Sequence, residues 1–316
     1  MAAGVNEAFP DLEDFRAVGQ RLSNWGRWGT DDERGTLNHI TPERLKAAAA
    51  LVRKGKVFNL GIPLGPSGPQ VGTNRTNPLR LMSETGDDQP FPEPFRYADD
   101  YVIMPLQAAS QWDALGHVYY DGYLYNGRPA SDVSPHGLKH NSIDKICKDV
   151  IGRGVLLDIV ALKGVRWLEA GHVITPEDLD AAIERQGVEV KPGDVLLIRT
   201  GWRKFFVETE DRVQFNAGEP GLGMASCRWL HEREIAALCS DNWAIEVLPG
   251  EYHPEQVLNL HMVLIRDMGM TLGEILDFEE LAADCAEDGV YEFLFCAPAL
   301  PFSNGAGSPI NPLVTK

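Results

Sequence analysis

The chain has 316 residues, of which 44% are apolar and 24% charged, and its net charge is −17. That composition supports a full hydrophobic core in one large domain or two. The acidic balance disfavours nucleic acid and anionic membrane surfaces as partners, which need clustered Lys and Arg, and says little about a small-molecule substrate, whose pocket can be locally neutral or basic. No apolar run approaches the roughly 20 residues that span a bilayer. Residues 1–7 lack the basic and apolar regions of a secretory leader. The five cysteines, Cys147, Cys227, Cys239, Cys285 and Cys296, form no C-x-x-C pair. These features predict a protein of the reducing cytoplasm.

In chain order, a short helix is expected over 11–22. Trp25 to Asn38 carries two Trp, three Gly and an acidic cluster, and reads as a compact loop. Thr41-Pro42-Glu43 opens a helix through about Lys54, because Thr is a good N-cap and Pro suits the first helical position. Val57–Ile62 reads as a short strand. Residues 63–100 are rich in Gly, Pro, Asn and Asp without periodicity, and form a long loop or arm. Its glycines are interrupted by prolines and precede no helix, so they make no dinucleotide fingerprint.

Tyr101–Leu106 is an apolar run that predicts a buried strand. Then come four polar residues, Gln107, Gln111, Asp113 and His117. In an extended chain 107, 111 and 113 share a face. Two amides, a carboxylate and an imidazole converging there suit a metal ion or proton transfer. A hydrogen-bonded core pair of Asp113 and His117 fits the same pattern.

Beyond, Tyr119, Tyr120, Tyr123 and Tyr125 wall a pocket or pack within a loop, and His136 and His140 read as solvated. Gly154–Leu162 and Val195–Trp202 are near-continuously apolar, as in strands covered on both faces. Thr175 caps a helix that ends near Gly187. Residues 203–225 read as a polar loop, Ser226–Leu238 as an amphipathic helix and Asp241–Pro249 as a strand carrying Asp241 and Glu246. Asn259–Ile265 is apolar around His261. Glu274 reads as the start of a helix, where it complements the dipole. Tyr291–Leu300 is a strand, and Gly305–Pro312 a Gly/Pro turn. Capped helices alternating with apolar strands predict an α/β domain spanning residues 1–316.

Gln107–His117 resembles the H-x-G-T-H-x-D-x-P-x-H signature of the cyclase family of metal-dependent hydrolases, which includes bacterial kynurenine formamidases and isatin hydrolases. Asp113 and His117 match. Gln107 and Gln111 replace histidines, Ala109 replaces Gly, Ser110 replaces Thr and Leu115 replaces Pro. The form is similar to a longer S-Q-W-D-x-x-x-H subgroup. Four further segments resemble the family: Trp28 to Asn38, Asp241 to Pro249, His261 with the Gly269–Glu274 segment, and Gly307 to Pro312.

The resemblance implies a swivelling β/β/α-type fold, a mixed sheet with flanking helices. It implies Asp113, His261 and Glu274 as metal ligands, with Gln111 and Gln107 in ligand positions, and His117 as proton donor and acceptor. Ser110 would orient water or substrate, and Trp28, Trp25 and Trp112 would contact substrate. The implied cofactor is one divalent ion, manganese or zinc; amide oxygens in place of imidazoles shift the preference away from zinc. The implied reaction cleaves a C–N bond of a cyclic amide, lactam, imide or N-formyl compound, in a homodimer or homotetramer with 63–100 as an intersubunit arm. The alternative is a metal-free relative that binds a small molecule or does acid/base chemistry on Asp113 and His117.

Overall fold

Side chains alternate between the two faces of the central strands, and each face buries a different layer. The computed structural model describes residues 14–72, 74–86, 91–252 and 257–316. Its strands, in chain order, are β1 (Val57–Asn59), β2 (Leu79–Glu84), β3 (Asp99–Ile103), β4 (Gln111–Asp113), β5 (Val133–Ser134), β6 (Gly137–Leu138), β7 (Ile151–Asp158), β8 (Val173–Ile174), β9 (Val195–Arg199), β10 (Gly221–Leu222), β11 (Ala237–Ser240), β12 (Thr271–Glu274), β13 (Glu292–Cys296), β14 (Gly307–Pro309) and β15 (Leu313–Thr315). Nine of them form one mixed sheet in the order β1-β15-β13-β7-β9-β11-β12-β4-β14. β7, β9, β11 and β12 run parallel at its centre. β4 lies antiparallel between β12 and β14. β13, β15 and β1 extend the opposite edge, each antiparallel to its neighbour.

On one face Leu157, Leu196, Ile198, Leu238 and Leu272 pack under the helices Pro176–Gln186 and Ala225–Glu232 and the helical segment after Asn259. On the other, Leu156, Val195, Leu197 and Cys239 meet Phe58, Trp112, Phe293, Phe295 and the helix Glu279–Asp288. The result is the expected mixed sheet flanked by helices.

Local signals place several elements. Thr175 and Asp178 form a reciprocal capping box with Pro176 at the first helical position, and Gly187 closes that helix at φ 61°. Thr41 caps the helix Pro42–Ala49, shorter than expected. The first helix is Phe15–Leu22, capped by Asp14; the rest of the 11–22 expectation lies outside the described residues.

Other expectations are corrected. The apolar run at 101 is not a buried strand: β3 pairs with β2 in a hairpin, and Tyr101 and Ile103 are 66% and 62% exposed. The 154–162 run ends as a strand at Asp158, whose carboxylate caps the helix Ile159–Lys163. The next run stops at Arg199, where the buried Asp241 carboxylate accepts from both the backbone and the hydroxyl of Thr200 and from the Gly201 N–H. The polar loop at 203–225 contains the helices Trp202–Thr209 and Arg212–Ala217, held together by Trp202, Phe205, Phe206 and Phe215. Ser226–Leu238 is not one helix: it breaks after Glu232, and its last apolar residues enter β11. Asp241–Pro249 is a bent segment with isolated bridges, not a strand. The strand within Tyr291–Leu300 spans Glu292–Cys296. Among the described residues no helix is long and apolar enough to cross a membrane.

Candidate metal centre

β4 has three residues, and its pairing fixes where each points. Gln111 sits opposite Glu274, Trp112 opposite Gly273 and Asp113 opposite Leu272. Alternation sends Gln111 and Asp113 to the face that carries Leu272, and Glu274, two residues on, joins them. Glu274 therefore ends a strand; it does not start a helix. His261 reaches the same face from the short helix Asn259–His261, which continues as a π-helix over Met262–Asp267.

One ligand atom from each of Asp113, His261 and Glu274 lies within 4.8 Å of the other two, and all three residues are buried. His261 Nε2 is 2.9 Å from Glu274 Oε1, and Gln111 Nε2 is 2.5 Å from Glu274 Oε2. Both Asp113 oxygens and Gln111 Oε1 are buried without a hydrogen-bond partner among the described residues. A native core seldom leaves a carboxylate so. One imidazole nitrogen, two carboxylates and an amide oxygen form a donor set that suits a divalent cation, and the orphaned oxygens are the atoms a cation would satisfy.

Glu246 completes the centre. Its Oε1 lies 2.8 Å from His261 Nδ1, which directs Nε2 toward Glu274. Burial opposes charge on His261, but Glu246 and Glu274 outweigh it and raise its pKa to about 10. Burial also pushes the Asp113 carboxyl up to about 6, with Glu274 adding to the rise. His117 Nε2 stands 3.6 Å from Asp113 Oδ1, with 21% of its side chain exposed. Burial lowers its pKa, although Asp113 pulls the other way.

The other expected site residues fall in different places. The Ser110 hydroxyl donates to the Ile275 carbonyl at 2.6 Å and accepts the Ile62 N–H at 2.9 Å, so it fastens two backbone segments. Gln107 lies in the turn before β4, its amide so close to Gly307 that a Cβ there would stand 2.5 Å from Nε2. Trp112 is not a pocket wall. It points to the opposite face, fully buried against Phe295, with its indole N–H on the Ala297 carbonyl. Gly273 makes room for that ring, which a Cβ would meet at 2.7 Å. Trp25 donates to the Arg266 carbonyl, and Trp28 packs edge-on against His39. Arg27, beside Trp28, pairs with Glu234, whose carbonyl accepts from Gly193. These contacts lie before the starts of β9, β11 and β12, whereas Glu274 is at a strand end. Within one chain, Trp25 and Trp28 therefore do not join the triad.

Sequence reasoning missed Glu246, Arg75 and Trp243. Glu246 stood in a recognised segment, but nothing local linked it to His261. Arg75 lies over the Trp243 ring, 4.8 Å from its centroid, and Trp243 packs with Ile62, Ala109 and Ile275 beside the centre. A cavity of about 350 Å³ begins at Ile62 and runs along Pro63–Pro69 to Arg203 and Phe206.

This fold and site define a metal-binding, hydrolase-like α/β protein. The cyclase family model matches residues 33–247. The crystal structure of a novel cyclase is 41% identical, with a TM-score of 0.88 over 94% of this chain and 99% of that one. The chain belongs to the cyclase family. It is also similar to an isatin hydrolase bound to the product analogue thioisatinate (20% identity, TM-score 0.62, 85% of this chain and 94% of that one). Isatin hydrolase A from Labrenzia aggregata, bound to benzyl benzoate, is 21% identical with a TM-score of 0.60, over 84% of this chain and 94% of that one. At those identities the likeness is one of fold. A search of curated proteins returns no match.

Proposed function

We propose that the protein is a metal-dependent hydrolase that cleaves a C–N bond in a small cyclic amide, lactam, imide or N-formyl compound. The observation that carries this reading is Asp113, a buried carboxylate with neither oxygen hydrogen-bonded among the described residues, facing His261 and Glu274. These three residues would hold one divalent ion, manganese or zinc, with Gln111 beside them and Gln107 in the turn before β4. The ion would supply Lewis acidity and lower the pKa of a water at neutral pH.

The protein's own groups do the rest. Glu246 orients His261. His117 is uncharged near neutral pH because burial lowers its pKa, so it accepts a proton from the attacking water. It then returns that proton to the leaving nitrogen, while Ser110 keeps the Ile62 and Ile275 backbones in register around the centre.

The β2–β3 hairpin supports a homodimer or homotetramer. Leu79 pairs with Ile103 and Leu81 with Tyr101, which aligns four exposed apolar side chains on one face. A cytoplasmic location fits the free cysteines.

The test is metal content by mass spectrometry on protein purified without chelator, wild type beside His261→Ala. We expect about one manganese or zinc per chain, lost in the variant, as a buried nitrogen–oxygen donor set predicts. Cyclic amides and formamides are then screened as substrates. No bound metal, and no hydrolysis restored by added manganese or zinc, would instead favour metal-free acid/base chemistry on Asp113 and His117.

A further inference from the structure

We infer that Arg75 is the receptor for a carboxylate on the substrate, so that the compound hydrolysed is an acidic amide, imide or formamide and not a neutral one. The inference rests on the hydrolase reading in calling the ligand a substrate, and adds the substrate's charge.

Arg75 is bonded differently from several other arginines of this protein. Arg34, Arg153 and Arg199 each hold carboxylates at 2.6–3.1 Å. In a chain with 46 acidic residues against 29 basic ones, carboxylates are plentiful. Yet Arg75 forms no ion pair among the described residues. Its hydrogen-bond partner is the Gln107 carbonyl, reached by Nη1 at 3.4 Å, which is near the limit of a useful bond. A guanidinium has five N–H donors, so among the described residues most of this one's capacity is unspent.

The same group is held in place. It lies over the Trp243 ring, a cation–π contact that fixes its plane. Trp243 is itself anchored by its backbone N–H, 2.7 Å from Glu219 Oε2, and by packing against Ile62, Ala109 and Ile275. Ile275 follows Glu274 in the chain, and Ala109 precedes Gln111 by two residues. The guanidinium is thus stationed at the rim of the metal centre, between Gln107 and Trp243. Its charge reaches Asp113 and His117, where it acts to lower both pKa values.

A planar fork of donors matches a carboxylate bidentately, and a pre-oriented fork gives up little side-chain freedom on binding. Asp113, Glu246 and Glu274 would repel an incoming anion. One fixed cation at the rim reverses that local penalty and pins the acid group while the scissile amide faces the triad. If Arg75 merely screened Asp113, removing it would weaken acids and their neutral amides alike.

The experiment is calorimetric titration of wild type, Arg75→Ala and Arg75→Lys with matched pairs: benzoate and benzamide, anthranilate and anthranilamide. Each is run on manganese-loaded protein and again after chelation, with metal content measured. We expect wild type to bind at least one acid about ten- to hundredfold more tightly than its amide, the range for charge-assisted hydrogen bonds. Arg75→Ala should bring the pair within about threefold at unchanged metal content, and Arg75→Lys, a point charge without the fork, should fall between. No acid preferred in wild type, or a preference that survives in Arg75→Ala, overturns the assignment. An Arg75-dependent preference in protein that binds no metal supports it and removes the hydrolase reading instead.

Discussion

Glu246 Oε1 lies 2.8 Å from His261 Nδ1 and 2.9 Å from the backbone nitrogen of the same residue. One oxygen thus orients both the ring and the turn that presents it. Glu246→Gln keeps the shape but loses the charge that sets the imidazole's tautomer. Metal affinity should fall by about ten- to hundredfold, as for other partners of metal-bound histidines. Competition with a chelator of known affinity measures it, and an unchanged constant would sink the orienting role.

Asp113→Asn separates function from stability. Both Asp113 oxygens are buried and lack a hydrogen bond among the described residues, so the metal-free protein carries that carboxylate at a cost. The variant should lose its metal, yet unfold in urea at the same or a higher midpoint than metal-free wild type, the pattern of a residue kept for chemistry. A large loss of stability would mark Asp113 as structural.

Protons and metal compete for the centre. With a folded-state pKa of about 10, His261 is protonated in the metal-free protein over pH 7 to 9. An unfolded histidine releases its proton near 6.5, so this stabilisation of the metal-free fold is complete below about pH 6.5 and is lost as pH rises through 10. A cation must displace the proton. Apparent affinity should therefore climb about tenfold per pH unit between 7 and 9, with one proton released. Below about pH 6, protonation of Asp113 should steepen the dependence. Calorimetry in buffers of different ionisation enthalpy counts the protons; a flat profile contradicts the proposed ligand set.

Trp112→Ala should cost about 3–5 kcal/mol of stability, as for other large-to-small changes in a packed core. The ring is fully buried on the face away from the triad. Denaturant unfolding reports the loss, and discrimination among substrates should stay as in wild type. Altered discrimination without destabilisation would restore Trp112 to the pocket.

Leu81→Glu with Ile103→Glu places two charges on the apolar face of the hairpin, where both side chains are exposed in one chain. Sedimentation should show the assembly falling to monomers. A wild-type protein that is already monomeric ends the idea that this hairpin joins subunits.

What could be read from sequence was mostly local. Thr175, Pro176, Asp178 and Gly187 specify a helix from start to stop within a few residues. The cores of β7 and β9 announce themselves as runs of Val, Leu and Ile. The failures came where the neighbour decides the state. Ile235 and Leu238 continue the apolar spacing of a helix, but β9 and β12 draw Ala237–Ser240 into the sheet as β11. Tyr101–Ile103 reads as buried, yet it is exposed, and among the described residues nothing covers it. In the site, Asp113, His261 and Glu274 were legible through their motifs. Trp112 was misplaced because the parity of a three-residue strand decides its face. Arg75 and Trp243 meet only through tertiary packing, so no spacing rule could join them.

The placement of β4 between β12 and β14 has a consequence for how the protein is made. Gln111 and Asp113 emerge early in synthesis, but the strands that hold them, Thr271–Glu274 and Gly307–Pro309, are translated much later. Until then Asp113 has no sheet to join, and His261 and Glu274 do not yet exist. The emerging chain therefore cannot capture its ion piecemeal. Metal loading belongs to a chain already translated past Gly307–Pro309, after β4 has paired with both of its neighbours.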